Sequence, residues 1–332
     1  MPENEEIMQS PGFKDRKAGL VVFGILQIIL GGLCALMVPF MVMGMIASAS
    51  LRNSSAPPVN TSMMVPVILL YVLAAVWFIW MGIGSVKARR WARSLILVSS
   101  WLWLICGIGG LVFILLLLPQ MYDRMGQSGQ MPPAAVAVMK CVMMGFMTVI
   151  YVIIPAVLVL FYGSKNVKAT CEFRDSKVRW TDKCPLPVLA ASLLFGVWAV
   201  SMLFCGAYGW TFPFFGFIAT GAKGAAIALV VMLLYGYVAI GLYKLNIKAW
   251  WCAVLFTILW ALSTVITFSR VTLLDFYQKM NFSQQLLDFY KQSGLPNTYT
   301  VVLFSSLWFI GFLVYLLYTK KYFAPAPPGE GL

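Results

Sequence analysis

Two sets of sulfur side chains stand at helical spacing in this chain. Met37, Met41 and Met45 recur at i, i+4, i+8 in one apolar run, and Met139, Met143 and Met147 repeat the interval in another, beside Cys141 and Met144. Such spacing lines one face of a helix, and thioether and thiolate are the ligands that Cu(I) prefers. The chemistry this would support is the handling of a cuprous ion in one half of a membrane. Three features weigh against it. Methionine is an ordinary gap-filling side chain, Lys140 would repel a cation in the same turn, and the second half of the chain has no matching stripe. Cu(I) is therefore a minor alternative, and no cofactor is expected.

Lys140 is the one charge within an apolar run. An intramembrane charge is by default a functional hypothesis, here an anion or a lipid headgroup. The residue lies only six positions past Ala134, about 9 Å along a helix, so its stem can also carry the ammonium to the interface. Cys171 and Cys184 share a polar stretch with Glu172, Asp175 and Asp182. A zinc site wants about four well-placed ligands, usually in tighter cysteine pairs, so free thiols are the expectation.

What is missing narrows the chemistry further. There is no histidine, which removes HExxH metalloproteases, Ser-His hydrolases and His-ligated haem or copper. All eleven carboxylates fall outside the apolar runs, so neither an intramembrane aspartyl dyad nor an acidic proton relay has a candidate. No catalytic constellation is found, and the expectation is a protein that is not an enzyme.

The elements that carry these residues are membrane spans. The chain is 61% hydrophobic and 11% charged, far from a soluble composition. Eight runs long enough to cross a bilayer are read at 19–45, 64–86, 94–118, 134–162, 186–208, 224–243, 249–268 and 298–318. Pro39 falls in the outer part of the first, and Trp77 and Trp80 are read as interfacial anchors of the second. GWTFPFFGFIATGAK, apolar yet rich in Gly and Pro, reads as an interfacial or re-entrant segment. LLDFYQK and LLDFYKQ read as two short amphipathic helices on the outer leaflet. No Gly-x-x-x-Gly pair occurs, so that helix-pairing device is lacking.

The charge of +13 follows from topology and not from nucleic acid, which is not an expected partner. With both ends inside, the inner segments hold 17 Lys and Arg and the outer ones six, the positive-inside bias. The acidic PENEE start and the length of the first run do not read as a cleavable signal. Asn53, Asn60 and Asn281 form glycosylation sequons on the outer side, a pattern frequent by chance.

GIGSVKARRWARSLILVSSWLW aligns without gaps on AIGLYKLNIKAWWCAVLFTILW at an offset of 157, pairing Gly84 with Gly241 and Ala92 with Ala249. Tyr162 and Tyr318 match at 156, which sets Pro155 against Gly311 as paired hinges. Four spans in each half give both halves the same direction, the parallel type of repeat. The fold class expected is thus an all-α membrane protein of eight transmembrane helices, two tandem four-helix halves in parallel orientation. Its segments are a cytoplasmic N-terminal stretch 1–18, a first half 19–162, a cytoplasmic connector 163–185, a second half 186–318 and a cytoplasmic tail 319–332.

The connector FYGSKNVKATCEFRDSKVRWTDKCPLPVLA resembles a pattern found in a group of uncharacterised bacterial multi-pass membrane proteins. The resemblance covers about thirty residues and implies a bacterial inner membrane; it carries no site residue. The function expected is a non-enzymatic scaffold or accessory component engaging membrane lipids and other membrane proteins. The alternative is a transporter of an apolar or amphipathic solute working between the halves.

Overall fold

The computed structural model describes residues 13–50, 61–127, 132–293 and 298–323. Asn53, Asn60 and the end of the tail lie outside the described residues. The chain is an all-α multi-pass membrane protein: eight of its described helices are long and apolar enough to cross a membrane. They face their surroundings with side chains such as Leu70, Leu160 and Leu233 exposed, as a lipid solvent allows, because each helix satisfies its own backbone.

The first spans are α1 (Lys17–Ser50), α2 (Thr61–Val86) and α3 (Arg90–Gln127). α1 and α3 run several residues beyond the ends read from hydropathy, and α1 passes Pro39 without a break. α4 (Pro133–Thr148) continues through a π turn at Val149–Ile153 into α5 (Ile154–Gly163). The connector is not a plain loop. It forms α6 (Lys165–Arg174), whose N-cap Ser164 accepts from the Val167 amide, followed by a 3₁₀ turn at Trp180–Asp182.

α7 (Leu186–Ser201) ends in a 3₁₀ stretch, Met202–Tyr208, that leads to strands β1 (Phe212–Phe214) and β2 (Phe217–Ala219). Then come α8 (Gly221–Tyr243), α9 (Ile247–Phe268), α10 (Leu273–Lys279), α11 (Gln284–Ser293) and α12 (Thr298–Thr319). α10 and α11 are the two short helices expected. Tyr277 of the first stacks on Tyr290 of the second with ring centroids 4.9 Å apart.

The segment read as interfacial or re-entrant is more definite than that. It is a tight antiparallel hairpin, Phe214 paired with Phe217. Both residues of its two-residue turn have positive φ, Phe215 at 38° and Gly216 at 95°, the mirror-image geometry that matches strand twist.

Contacts divide the chain into two compact units. The first gathers the stretch up to Met37, Tyr71–Gly109 and Phe146–Lys183; the second gathers Val38–Leu70, Gly110–Gly145 and Cys184–Leu332. In the first, α1 and α2 touch backbone to backbone without a Gly-x-x-x-Gly pair. A Cβ on Gly24 would stand 2.8 Å from the Gly82 carbonyl oxygen, and one on Gly82 would stand 2.7 Å from that of Gly24. Tyr162, fully buried, shares a 2.6 Å hydrogen bond with Ser85, whose hydroxyl also reaches the Leu20 carbonyl at 2.8 Å. In the second unit the core is aromatic: Phe195, Trp198, Tyr235 and Phe312 interlock with centroids 5.1 to 5.7 Å apart.

The turns joining α2 to α3 and α8 to α9 agree in detail. Each is stopped by a left-handed residue, Ala88 (φ 49°) and Leu245 (φ 54°). The Arg89 amide donates to the Gly84 carbonyl at 2.9 Å, and the Asn246 amide to the Gly241 carbonyl at 2.9 Å. In each, the glycine lies against a buried alanine, Ala92 or Ala249, and leaves no room for a Cβ.

Candidate functional site

The second unit carries an apolar groove of about 450 Å³. On α8 it is lined by Ala226, Ile227, Val230, Val231 and Leu234, a single helical stripe. On α9 the lining is Phe256, Leu259, Trp260 and Ser263, and the hairpin supplies Phe214 and Phe215. The groove is open at the side: Val230 is 58% exposed and Leu259 51%. Its size lies within the ~300–1,000 Å³ usual for small-molecule sites.

Hydroxyls of α9 hold the hairpin over one end. The Phe215 amide donates to Ser263 Oγ at 3.0 Å, and the Gly216 amide donates to Thr267 Oγ1 at 3.0 Å. Ser263 Oγ in turn donates to the Pro213 carbonyl at 3.4 Å. The one polar side chain in the lining is therefore already engaged. The space at Gly216 is set by Arg270, whose Nη1 would be 3.0 Å from a Cβ there. At the other end Tyr235 meets Phe256 edge-on at 5.1 Å and belongs to the aromatic core. Such a groove can accept a hydrocarbon chain.

The residues singled out from the sequence do not line it. Met37 and Met143 are exposed, while Met41, Met45, Met139 and Met147 are half-buried. Cys141 is exposed and Lys140 half-buried on α4. Among the described residues no cluster of three or more His, Cys, Asp or Glu could hold a metal. Pro155 is buried directly after the π turn, whereas Gly311 sits on the open side of an unbroken α12. Cys171 and Cys184 are buried free thiols, each pushed up to about 11 by burial.

A second cluster, in the first unit, was not foreseen. Asp175, with a side chain only 2% exposed, accepts Arg179 Nη2 at 2.8 Å and Nε at 3.1 Å, and Arg89 Nη1 at 3.3 Å. It also accepts the Arg90 amide at 3.3 Å, at the start of α3. The Arg179 hydrogen bonds hold its carboxyl below the usual carboxylate range against the opposing effect of burial. Arg174 donates to Asp15 at 2.6 Å and holds that carboxyl down as well. The Arg89 and Arg90 contacts fasten the basic turn to the connector, and Arg174 fastens Asp15, just before α1, to it. No sequence signal marked the groove either, although Ser263 and Thr267 at i, i+4 facing a Phe-Phe-Gly turn is one that could have been sought.

No family model, curated protein or solved structure matches the chain.

Proposed function

We propose that this integral membrane protein is a non-enzymatic component of a bacterial inner membrane that engages lipid through the groove between α8 and α9. Its termini are cytoplasmic in this reading, and its two four-helix halves descend from a duplication. The matched turns at Ala88 and Leu245, with their equal hydrogen bonds, support the duplication. The observation that carries the lipid reading is a groove open at the side and lined by apolar side chains apart from Ser263, whose hydroxyl is engaged with the hairpin.

Ala226→Phe fills the groove from an exposed position. Native mass spectrometry of the detergent-purified protein is expected to show retained lipid in the wild type and roughly tenfold less in the variant, the effect of losing about two buried methylenes. Wild-type protein that retains no lipid, or a variant that retains as much, refutes the reading.

A second reading, transport of an amphipathic solute, is favoured by one observation: the π turn at Val149–Ile153 beside Pro155. π turns recur at functional places in helices.

A further inference from the structure

We infer that the groove is a site for an anionic phospholipid, its acyl chain between α8 and α9 and its phosphate on Arg270 and Lys223. This deepens the lipid reading above and rests on it.

The length of the groove points to one leaflet. From Ala226 to Leu234 is eight residues of α8, about 12 Å at a rise of 1.5 Å, against a hydrocarbon core of ~30 Å. The hairpin bounds the groove at one end, and Leu234 and Phe256 are the lining residues furthest from it along α8 and α9. A path across the membrane would need twice that depth, whereas one acyl chain needs about this much.

Charge complementarity points to the headgroup. Lys223 is exposed in the first turn of α8, three and four residues before Ala226 and Ile227, and so stands on the helix face that lines the groove. Arg270 lies in the turn two residues beyond the end of α9 at Phe268, one helical turn past Thr267, which binds the hairpin. It is exposed, and its guanidinium lies against the hairpin turn that closes the groove. No described carboxylate pairs with either cation. The nearest acid in sequence to Arg270, Asp275, is occupied by Thr272, whose hydroxyl donates to it at 2.6 Å.

Two basic side chains at the mouth of an acyl-width groove fit a phosphate diester attached to a hydrocarbon chain. An apolar helix of another protein would leave both cations at its flank without a counter-ion.

The test compares phosphatidylglycerol with phosphatidylcholine of the same chains, added to the delipidated full-length protein in detergent and read by native mass spectrometry. At roughly fivefold per basic residue, wild type is expected to prefer phosphatidylglycerol by about 20-fold. Lys223→Gln with Arg270→Gln should bring that preference to within about twofold while phosphatidylcholine still binds. Ala226→Phe should weaken both lipids. Equal wild-type binding of the two lipids, or a preference that survives the double substitution, overturns the headgroup assignment and leaves the lipid reading standing. Failure of either lipid to bind, with Ala226→Phe indistinguishable from wild type, overturns both. A second copy or a foreign apolar peptide retained in place of lipid overturns the phospholipid as occupant.

Discussion

Asp175 is where a single side chain has the largest structural consequence. It neutralises Arg179 and Arg89 and caps the backbone at Arg90. Asp175→Asn keeps the shape and removes the charge, leaving arginines packed against a neutral amide. The expected cost is about 2 kcal/mol, read as a lower unfolding midpoint in detergent. The sign of the pH dependence follows from the depressed carboxyl. Its contribution is fully present above the unfolded value near 3.9 and is lost as pH falls through the lower folded value. The asparagine variant should therefore lose most of its deficit relative to wild type in that acid range. Half of this cluster is local: Arg179 is four residues from Asp175, yet both lie beyond the end of α6 at Arg174, so no helical spacing announced the pair. The other half is not, since Arg90 is 85 residues away and nothing local ties it to Asp175. Of the connector's six basic residues, Arg174 and Arg179 spend their charge on Asp15 and Asp175, and Lys168 stands 3.8 Å from Glu172.

At the scale of elements, hydropathy was enough to find the spans but not to place their ends or their contacts. The spans were legible because a lipid-facing helix must be apolar along its whole length. The close approach of α1 and α2 was not, because Gly24 and Gly82 belong to different runs and form no pair along either one. The hairpin hid among aromatic residues that also suit an interface, its one turn signal being Gly216. Pro155 was legible as a helix disturbance, and the structure gives the reason. Its ring cannot sit against the carbonyl four residues back, that of Tyr151, and the helix widens to a π turn there. Gly107 lets α3 approach that same carbonyl, since a Cβ would collide with it. Packing also fixes the register beyond the turn, through Tyr162 on Ser85. Pro155→Ala is accordingly expected to keep the π turn and to change stability by no more than about 1 kcal/mol. Proteoliposomes with a fluorescent phospholipid analogue separate the two functional readings. Lipid engagement expects no translocation by wild type or variant; a hinge for transport requires translocation by wild type and at least tenfold slowing in Pro155→Ala.

For the whole molecule, the strongest constraint is the alternation imposed by the spans. Between the connector and the segment holding α10 and α11 lie three of the eight candidate spans, those containing α7, α8 and α9. An odd number of crossings would put the two on opposite sides, and in the reading proposed above the bias of 17 Lys and Arg against six makes the connector the cytoplasmic one. The partition into two compact units could not be read from the chain, because it divides α1, α2, α3 and α4 along their length, and hydropathy does not vary where packing partners change. The side assignment bears on the inferred site: under the proposed orientation a groove whose rim is at Lys223 and Arg270 would draw its lipid from the outer leaflet. Single cysteines placed at Lys177 and at Asp288, in a chain whose own cysteines are replaced, test this in intact cells. A membrane-impermeant maleimide is expected to label the second and to reach the first only after permeabilisation. Labelling of both from outside would remove a crossing from α7, α8 or α9. Labelling of the first alone would keep the crossings and turn the molecule over, moving the lipid site to the inner leaflet, where anionic headgroups are concentrated.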